Sequence, residues 1–169
     1  MQLKTSSMAG YVEGNIRKLD PKFAYSRSFS GVNESSYVPF IVLKSNRVFH
    51  DDSSYGEFDL LKIAASNEVN NKTLTVGLFL TKEITGQVNF QHIDEDNSIV
   101  AYADIDPSNQ EMINAGRPFY ELVVGSATSE TVNIKDLDFV FGVGDCLVIA
   151  IKTTALMSGQ VSINWYEQQ

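Results

Sequence analysis

Apolar and polar side chains alternate with a period of two in several segments of the chain after Tyr37. In the clearest case, residues 161–166, Val161, Ile163 and Trp165 alternate with Ser162, Asn164 and Tyr166. A strand with one face in a core and the other towards solvent requires this pattern. Residues 73–80 alternate in the same way, so both segments are predicted to be half-buried antiparallel strands.

Short apolar segments continue from Tyr37 to Tyr166, separated by clusters of glycine, asparagine, aspartate and serine. About ten short strands with turn signals every 8–12 residues or so are typical of a β-sandwich. We therefore predict an all-β fold, an antiparallel β-sandwich of jelly-roll type. Helix is predicted only as a single turn near residues 107–113.

Residues 1–35 show no sustained period, and their apolar side chains are scattered among serine, glycine and asparagine. We predict that they form an extended N-terminal arm and that residues 36–169 form the domain. The candidate attachment residues of this arm are aromatic or basic: Tyr11, Arg17, Lys18, Phe23, Tyr25, Arg27 and Phe29. They would pack either on their own domain or on a neighbouring subunit, and the sequence leaves both open.

The formal net charge is −8, but its distribution is uneven. Residues 1–50 carry seven Lys and Arg against three Asp and Glu, whereas the remaining residues carry six against eighteen. An acidic body repels phosphates, so nucleic acid is not an expected partner. The positive charge near the N-terminus is either a solvated surface or a means of docking on an acidic partner.

The sequence predicts no membrane contact, since no apolar run reaches the ~18 residues that a spanning helix needs. The first residues lack the apolar centre of a signal peptide, and the single cysteine, Cys146, lies in an apolar strand pattern. A lone cysteine excludes a disulfide within one chain. We therefore expect synthesis in a reducing cytoplasm.

Candidate catalytic residues are few, and none forms a coherent set. His50 and His92 are the only histidines, and no Gly-x-Ser-x-Gly elbow accompanies them. A thiol buried in a strand, as predicted for Cys146, has a raised pKa and poor access. We predict no catalytic residue and no enzymatic activity.

Acidic residues cluster in loops, at Asp94, Glu95 and Asp96 and again at Asp104 and Asp106. Such clusters can hold calcium through carboxylate oxygens, but no Asp-x-Asp-x-Asp-Gly loop is present. A solvated loop is the favoured interpretation, and neither a metal nor a cofactor is expected.

Three tyrosines are candidate surface-binding residues, because they lie on predicted strands: Tyr102, Tyr120 and Tyr166. Exposed tyrosines of this kind stack on sugar rings, so a glycan is one candidate partner. Strand-face tyrosines also pack in subunit interfaces, and this interpretation is favoured.

Five segments occur in an order that resembles a known group of proteins. They are residues 73–80 (TLTVGLFL), 88–98 (VNFQHIDEDNS), 134–139 (IKDLDF), 144–151 (GDCLVIAI) and 161–167 (VSINWYE). Together they resemble the small β-sandwich proteins of tailed-bacteriophage virions, which serve as head decoration, head-fibre or minor capsid proteins. The resemblance covers roughly residues 70–169, and its motifs are patterns of strands and turns.

This resemblance implies a non-enzymatic structural protein, located in the virion after synthesis in the host cytoplasm. It implies a homotrimer, other virion proteins such as the major capsid protein as partners, and an N-terminal segment anchored to the capsid. The main alternative is a carbohydrate-binding module for adhesion to a host surface, which would use the tyrosines and the acidic loops. An enzyme is the third and weakest hypothesis.

Overall fold

The computed structural model describes residues 22–45, 48–49, 52–53, 56–82, 84, 87–94, 98–106 and 117–168. Thirteen strands lie in this part of the chain. Their bounds are β1 Lys22–Val32, β2 Val38–Ser45, β3 Val48–Phe49, β4 Asp52–Ser53, β5 Glu57–Asn67, β6 Leu74–Thr81, β7 Gln91–His92, β8 Val100–Asp104, β9 Tyr120–Val124, β10 Ser129–Asn133, β11 Val140–Phe141, β12 Cys146–Thr153 and β13 Met157–Gln168.

The strands form two antiparallel sheets that pack face to face. Sheet A has the order β1-β13-β5-β10, with β11 also paired to β5, and sheet B has the order β7-β8-β2-β12-β6-β9. Without β7 and β8, which extend sheet B beyond β2, each sheet has the strand order of a jelly roll. The prediction of an all-β, jelly-roll-like sandwich is confirmed. The short β3 and β4 form a separate two-stranded sheet.

Residues 22–32, which the sequence analysis placed in the arm, form the edge strand β1 of sheet A. Tyr25 pairs with Ile163 and Arg27 pairs with Val161 of β13. Odd-numbered side chains of β1 face the interior, and Phe29 is only 8% exposed. The predicted boundary at residue 36 therefore separates β1 from the sandwich to which it belongs. The strand was not recognised because Arg27, at an inward position, interrupts the alternation of apolar and polar side chains. Tyr11, Arg17 and Lys18 lie outside the described residues.

The space between the sheets is filled by apolar side chains. The largest fully buried ones include Trp165, Phe40, Phe58, Leu43, Ile63 and Leu147. Trp165 thus belongs to the core, as its alternation with polar neighbours predicts. Gly159 of β13 lies so close to β5 that an added Cβ would collide with the carbonyl oxygen of Ser66.

Sheet B also carries a second apolar layer on its outer face. It contains Val42, Phe79, Ala103, Ile105, Cys146, Val148 and Ala150, with Tyr37, Ile84, Val88 and Phe90 packed on it. The apolar pattern predicts a strand over residues 88–93, of which only Gln91 and His92 form β7. Val88 and Phe90 instead pack on this outer face. The central strands β2 and β12 are therefore buried on both sides, which explains their uninterrupted apolar sequences.

The only described helix is a 3-10 turn at Lys135–Leu137. The turn predicted near residues 107–113 lies outside the described residues. Within the part of the chain that the structure covers, no helix is long and apolar enough to cross a membrane.

Candidate binding face on sheet A

The outer face of sheet A carries small polar side chains. Strand alternation places on it Ala24, Ser26 and Ser28 of β1, Gln160, Ser162, Asn164 and Tyr166 of β13, Asp59, Lys62, Ala64 and Ser66 of β5, and Ser129, Thr131 and Asn133 of β10. These side chains are exposed or half-buried, apart from Asp59, which is 7% exposed. We call this surface the polar face.

Backbone pairing aligns these residues in rows across the four strands. In one row Ser28 pairs with Gln160, which pairs with Ser66, which pairs with Ser129. The next row runs through Ser26, Ser162, Ala64 and Thr131. Within these two rows no side chain is charged.

A groove of about 150 Å³ lies in the polar face. It is lined by Ala64, Ala65, Ser66, Ser129, Glu130, Thr131, Gln160 and Ser162. The floor is low because β5 contributes Ala64 and Ser66, whose side chains are short. Longer side chains such as Gln160 flank it.

Hydrogen bonds order some side chains of the polar face. Gln160 Nε2 donates to Ser26 Oγ over 2.6 Å, which joins β13 to β1. At the other end Gln168 Nε2 donates to Tyr166 Oη and to Asp59 Oδ2, each over 3.3 Å. The other oxygen of Asp59 is buried without a hydrogen-bond partner among the described residues.

The three candidate tyrosines do not lie on one surface. Tyr102 packs against the core, with its ring centroid 4.1 Å from that of Tyr25 and its hydroxyl donating to Gln91 Oε1 over 2.8 Å. Tyr120 also packs on the core, beside Phe139 at 6.1 Å. Only Tyr166 is on the polar face, so Tyr102 and Tyr120 cannot share a flat sugar-binding platform with it.

The described residues of the predicted arm contact the protein's own core. Phe23 stacks on Trp165 with ring centroids 6.2 Å apart, and Phe29 meets Phe40 edge-on at 5.6 Å. Tyr25 donates its hydroxyl to Asp104 Oδ1 over 2.8 Å. Burial, and then this hydrogen bond, raises the pKa of Tyr25 above its ordinary value of 10.0.

Arg27 joins β1 to sheet B. Its Nη1 donates to the carbonyl oxygens of Phe40 and Ile105, the latter over 2.9 Å. Its guanidinium carbon lies 4.3 Å from the centre of the Phe40 ring, and its Nε is 3.6 Å from Asp104 Oδ1. The cation is thus used to hold the two sheets together at their β1 side.

A second polar group lies on the outer face of sheet B. Tyr37 donates its hydroxyl to Glu121, and Lys152 Nζ lies 4.5 Å from the centre of its ring. Tyr37 crosses Gly77, where an added Cβ would lie 2.7 Å from Tyr37 Cε1. Burial, and then the hydrogen bond to Glu121, raises the pKa of Tyr37. This group covers the second apolar layer.

Glu167 is the polar residue that the sequence analysis missed. It is fully buried, and its Oε1 accepts hydrogen bonds from Trp165 Nε1 at 2.9 Å and from Ser98 Oγ at 2.7 Å. Its Oε2 accepts from the backbone N–H of Ile99 at 2.7 Å. The sequence held one indication of this position: Glu167 lies two residues after Trp165, so strand alternation places both side chains on the inner face. With its oxygens occupied by protein donors, Glu167 connects β13 to the segment before β8.

The other candidates for chemistry are dispersed. His92 lies on the exposed β7, and His50 is outside the described residues. Cys146 is 2% exposed, and burial raises the pKa of its thiol. Among the described residues no three His, Cys, Asp or Glu side chains form a group that could hold a metal ion. Glu95 and Asp96 of the acidic loop are outside that part of the chain.

No protein-family model matches the chain, and the search of curated proteins finds no relative. The class of protein is therefore defined by the fold: an antiparallel jelly-roll β-sandwich with a polar outer face on sheet A.

Proposed function

We propose that the chain is a non-enzymatic structural component of a bacteriophage virion, a capsid decoration or head-fibre protein. The observation that carries the proposal is the jelly-roll strand order, a fold that viral capsid proteins use widely. Three of the five segments that resemble phage virion proteins supply interior strands of this jelly roll, namely β6, β12 and β13.

Attachment to the capsid is assigned to residues 1–21 in this proposal. They precede Lys22, the first residue of β1, which is an edge strand of sheet A. A segment that begins at the rim of a sandwich can extend towards another protein without disturbing the core. Phe23, Tyr25, Arg27 and Phe29 are engaged within the sandwich, so attachment falls to the part of the arm before them, which includes Tyr11, Arg17 and Lys18.

A homotrimer is part of the same proposal. We propose that its subunits contact each other at the β9 side of the sandwich. Of the exposed large apolar side chains among the described residues, most lie there, on β6, β9, β11 or the turns beside them: Leu80, Phe119, Val123, Leu137 and Val140. β9 is also an edge of sheet B, and oligomerisation protects such edges. Apolar side chains at an edge are typical of subunit interfaces.

The virion proposal is tested by mass spectrometry of density-purified phage particles from the genome that encodes this chain. We expect the chain in the particles at a fixed ratio to the major capsid protein, and immunogold labelling at the head. A chain that is abundant in the lysate and missing from the particles would refute the proposal.

The trimer is tested by light scattering after size exclusion. The full chain should have three times the mass of one subunit, and Val123→Asp should yield the monomer. Ser28→Asp, on the opposite side of the sandwich, is the control and should remain trimeric. A monomeric full chain would exclude the trimer and leave decoration by single copies.

A further inference from the structure

We propose that the polar face of sheet A binds a neutral carbohydrate chain, centred on the groove over Ala64. This binding function does not depend on the virion assignment. It follows from the chemistry of two rows of side chains that cross four strands on one face of sheet A.

Charge selects against ionic ligands at this face. The protein as a whole carries −8, yet the rows of Gln160 and Ser162 contain only serine, threonine, glutamine and alanine. The charged side chains of the polar face lie beyond them, at Asp59 and Lys62, with Glu130 at the groove. A polyanion would meet no cation in the two rows, and a polycation would meet only Glu130.

The composition of the two rows also argues against a protein partner. Cores of protein interfaces are enriched in aromatic side chains, methionine and arginine, and depleted in serine and alanine. Of the eight positions in the two rows, five are serine and none is aromatic. Among the described residues, the exposed large apolar side chains lie outside the two rows, mainly near β9.

Hydroxyl and amide groups suit a ligand that itself carries many hydroxyls. Each of these side chains both donates and accepts hydrogen bonds, as a sugar hydroxyl does. Neighbouring strands lie about 4.8 Å apart, close to the length of one pyranose unit. A glycan chain that crosses the strands along a row therefore meets a polar side chain at nearly every sugar.

The groove supplies the concave contact. Ala64 presents a methyl group to the groove between polar walls that include Thr131 and Gln160, and sugar rings have apolar C–H faces that pack on such groups. Gln160 is already oriented by its hydrogen bond to Ser26, which lowers the entropic cost of ordering it on binding. Tyr166 lies four residues beyond Ser162 on the same strand, about 13 Å away, and is therefore outside the two rows.

The experiment uses the full chain in affinity gel electrophoresis. The gels contain soluble neutral polysaccharides (dextran, amylose, galactomannan, β-glucan and mannan), with polygalacturonate as the charged comparison. We expect retardation by at least one neutral polymer. Calorimetry on that polymer then gives the Kd of each variant.

Ala64→Arg should raise the Kd at least about 10-fold, since the new side chain fills the groove. Leu156→Arg introduces the same side chain at an exposed turn position and should leave the Kd unchanged. Gln160→Ala should also raise the Kd, and it does so by removing a side chain and not by filling the groove. Thermal melting confirms that each variant is folded.

Retardation by none of the neutral polymers, or by polygalacturonate alone, would overturn the proposal. Binding that persists in Ala64→Arg and Gln160→Ala would place the site elsewhere and overturn it equally. If Ala64→Arg changed the number of subunits in the assembly, the face would bind a second copy of the chain, and the carbohydrate proposal would be overturned. The virion proposal stands or falls separately, on the protein content of particles.

Discussion

Trp165 donates its indole N–H to the carboxylate of Glu167, two residues further along the same strand, over 2.9 Å. Both residues are fully buried. The pair lies at the end of β13, where the carboxylate also receives the Ser98 hydroxyl and the Ile99 N–H from the other side of the core. One acidic residue therefore satisfies three donors and connects the last strand to the segment that leads into β8.

Glu167→Ala should lower the free energy of unfolding by about 3–5 kcal/mol, because it leaves three buried donors without an acceptor. Urea unfolding followed by Trp165 fluorescence measures the loss. Glu130→Ala, at an exposed position, is the control and should change stability by less than about 0.5 kcal/mol. Equal stabilities of the two variants would contradict the structural role of the network.

Gly159→Ala should destabilise the fold by about 3 kcal/mol, since overpacking forces backbone to shift. The added Cβ would collide with the backbone carbonyl of Ser66 and lie 3.0 Å from Phe29 Cζ. Gly125→Ala is the matched control, because its Cβ would meet only Thr128 Cγ2 at an ordinary 3.8 Å. Thermal melting measures the stability of both variants. A similar loss of stability in both would count against the close packing of β13 on β5.

Arg27→Ala should cost about 2–3 kcal/mol, since it removes hydrogen bonds to two carbonyl oxygens and the contact with the Phe40 ring. Denaturant unfolding measures the loss. Lys22→Ala, at an exposed position of the same strand, should be nearly neutral. If Arg27→Ala left stability intact, the side chain would be available for docking on a partner, and its role within the sandwich would be disproved.

Stability should decline as the pH rises above about 10. Tyr25 and Tyr37 have raised pKa values in the folded protein, so above pH 10 the unfolded chain releases protons that the folded chain retains. Their contribution is fully present below the unfolded pKa and is lost as the pH rises towards the folded one. In melting curves from about pH 8 to pH 11, Tyr37→Phe and Tyr25→Phe should each show a smaller decline than the parent chain. An unchanged slope in both variants would contradict the prediction.

The pattern of apolar side chains was sufficient to predict β6 and β13, from alternation, and β12, from an uninterrupted apolar run, together with the sandwich they build. It failed at β1, because Arg27 occupies an inward position that an apolar residue usually takes, and its partners are the carbonyls of Phe40 and Ile105. It also misassigned residues 88–90, whose apolar side chains cover sheet B from outside. In both cases the deciding contacts join residues distant in the sequence.

The candidate site shows the same division. The sequence singled out Tyr166 but grouped it with Tyr102 and Tyr120, which pack on the core. The polar face could not be recognised in advance, because isolated serines and alanines on four strands carry no motif. Backbone pairing alone brings Ser26, Ser162, Ala64 and Thr131 into one row.

By itself, the sequence determined the class of fold, because a period of two along short segments depends only on the geometry of a single strand. The tertiary structure decided which strands are neighbours, and with that the surfaces of the molecule. It made β2 and β12 buried on both sides, enclosed Glu167 among donors from distant residues, and left sheet A with an open polar face. These outcomes depend on pairing between residues as far apart as Ser26 and Ser162, which a local pattern does not encode.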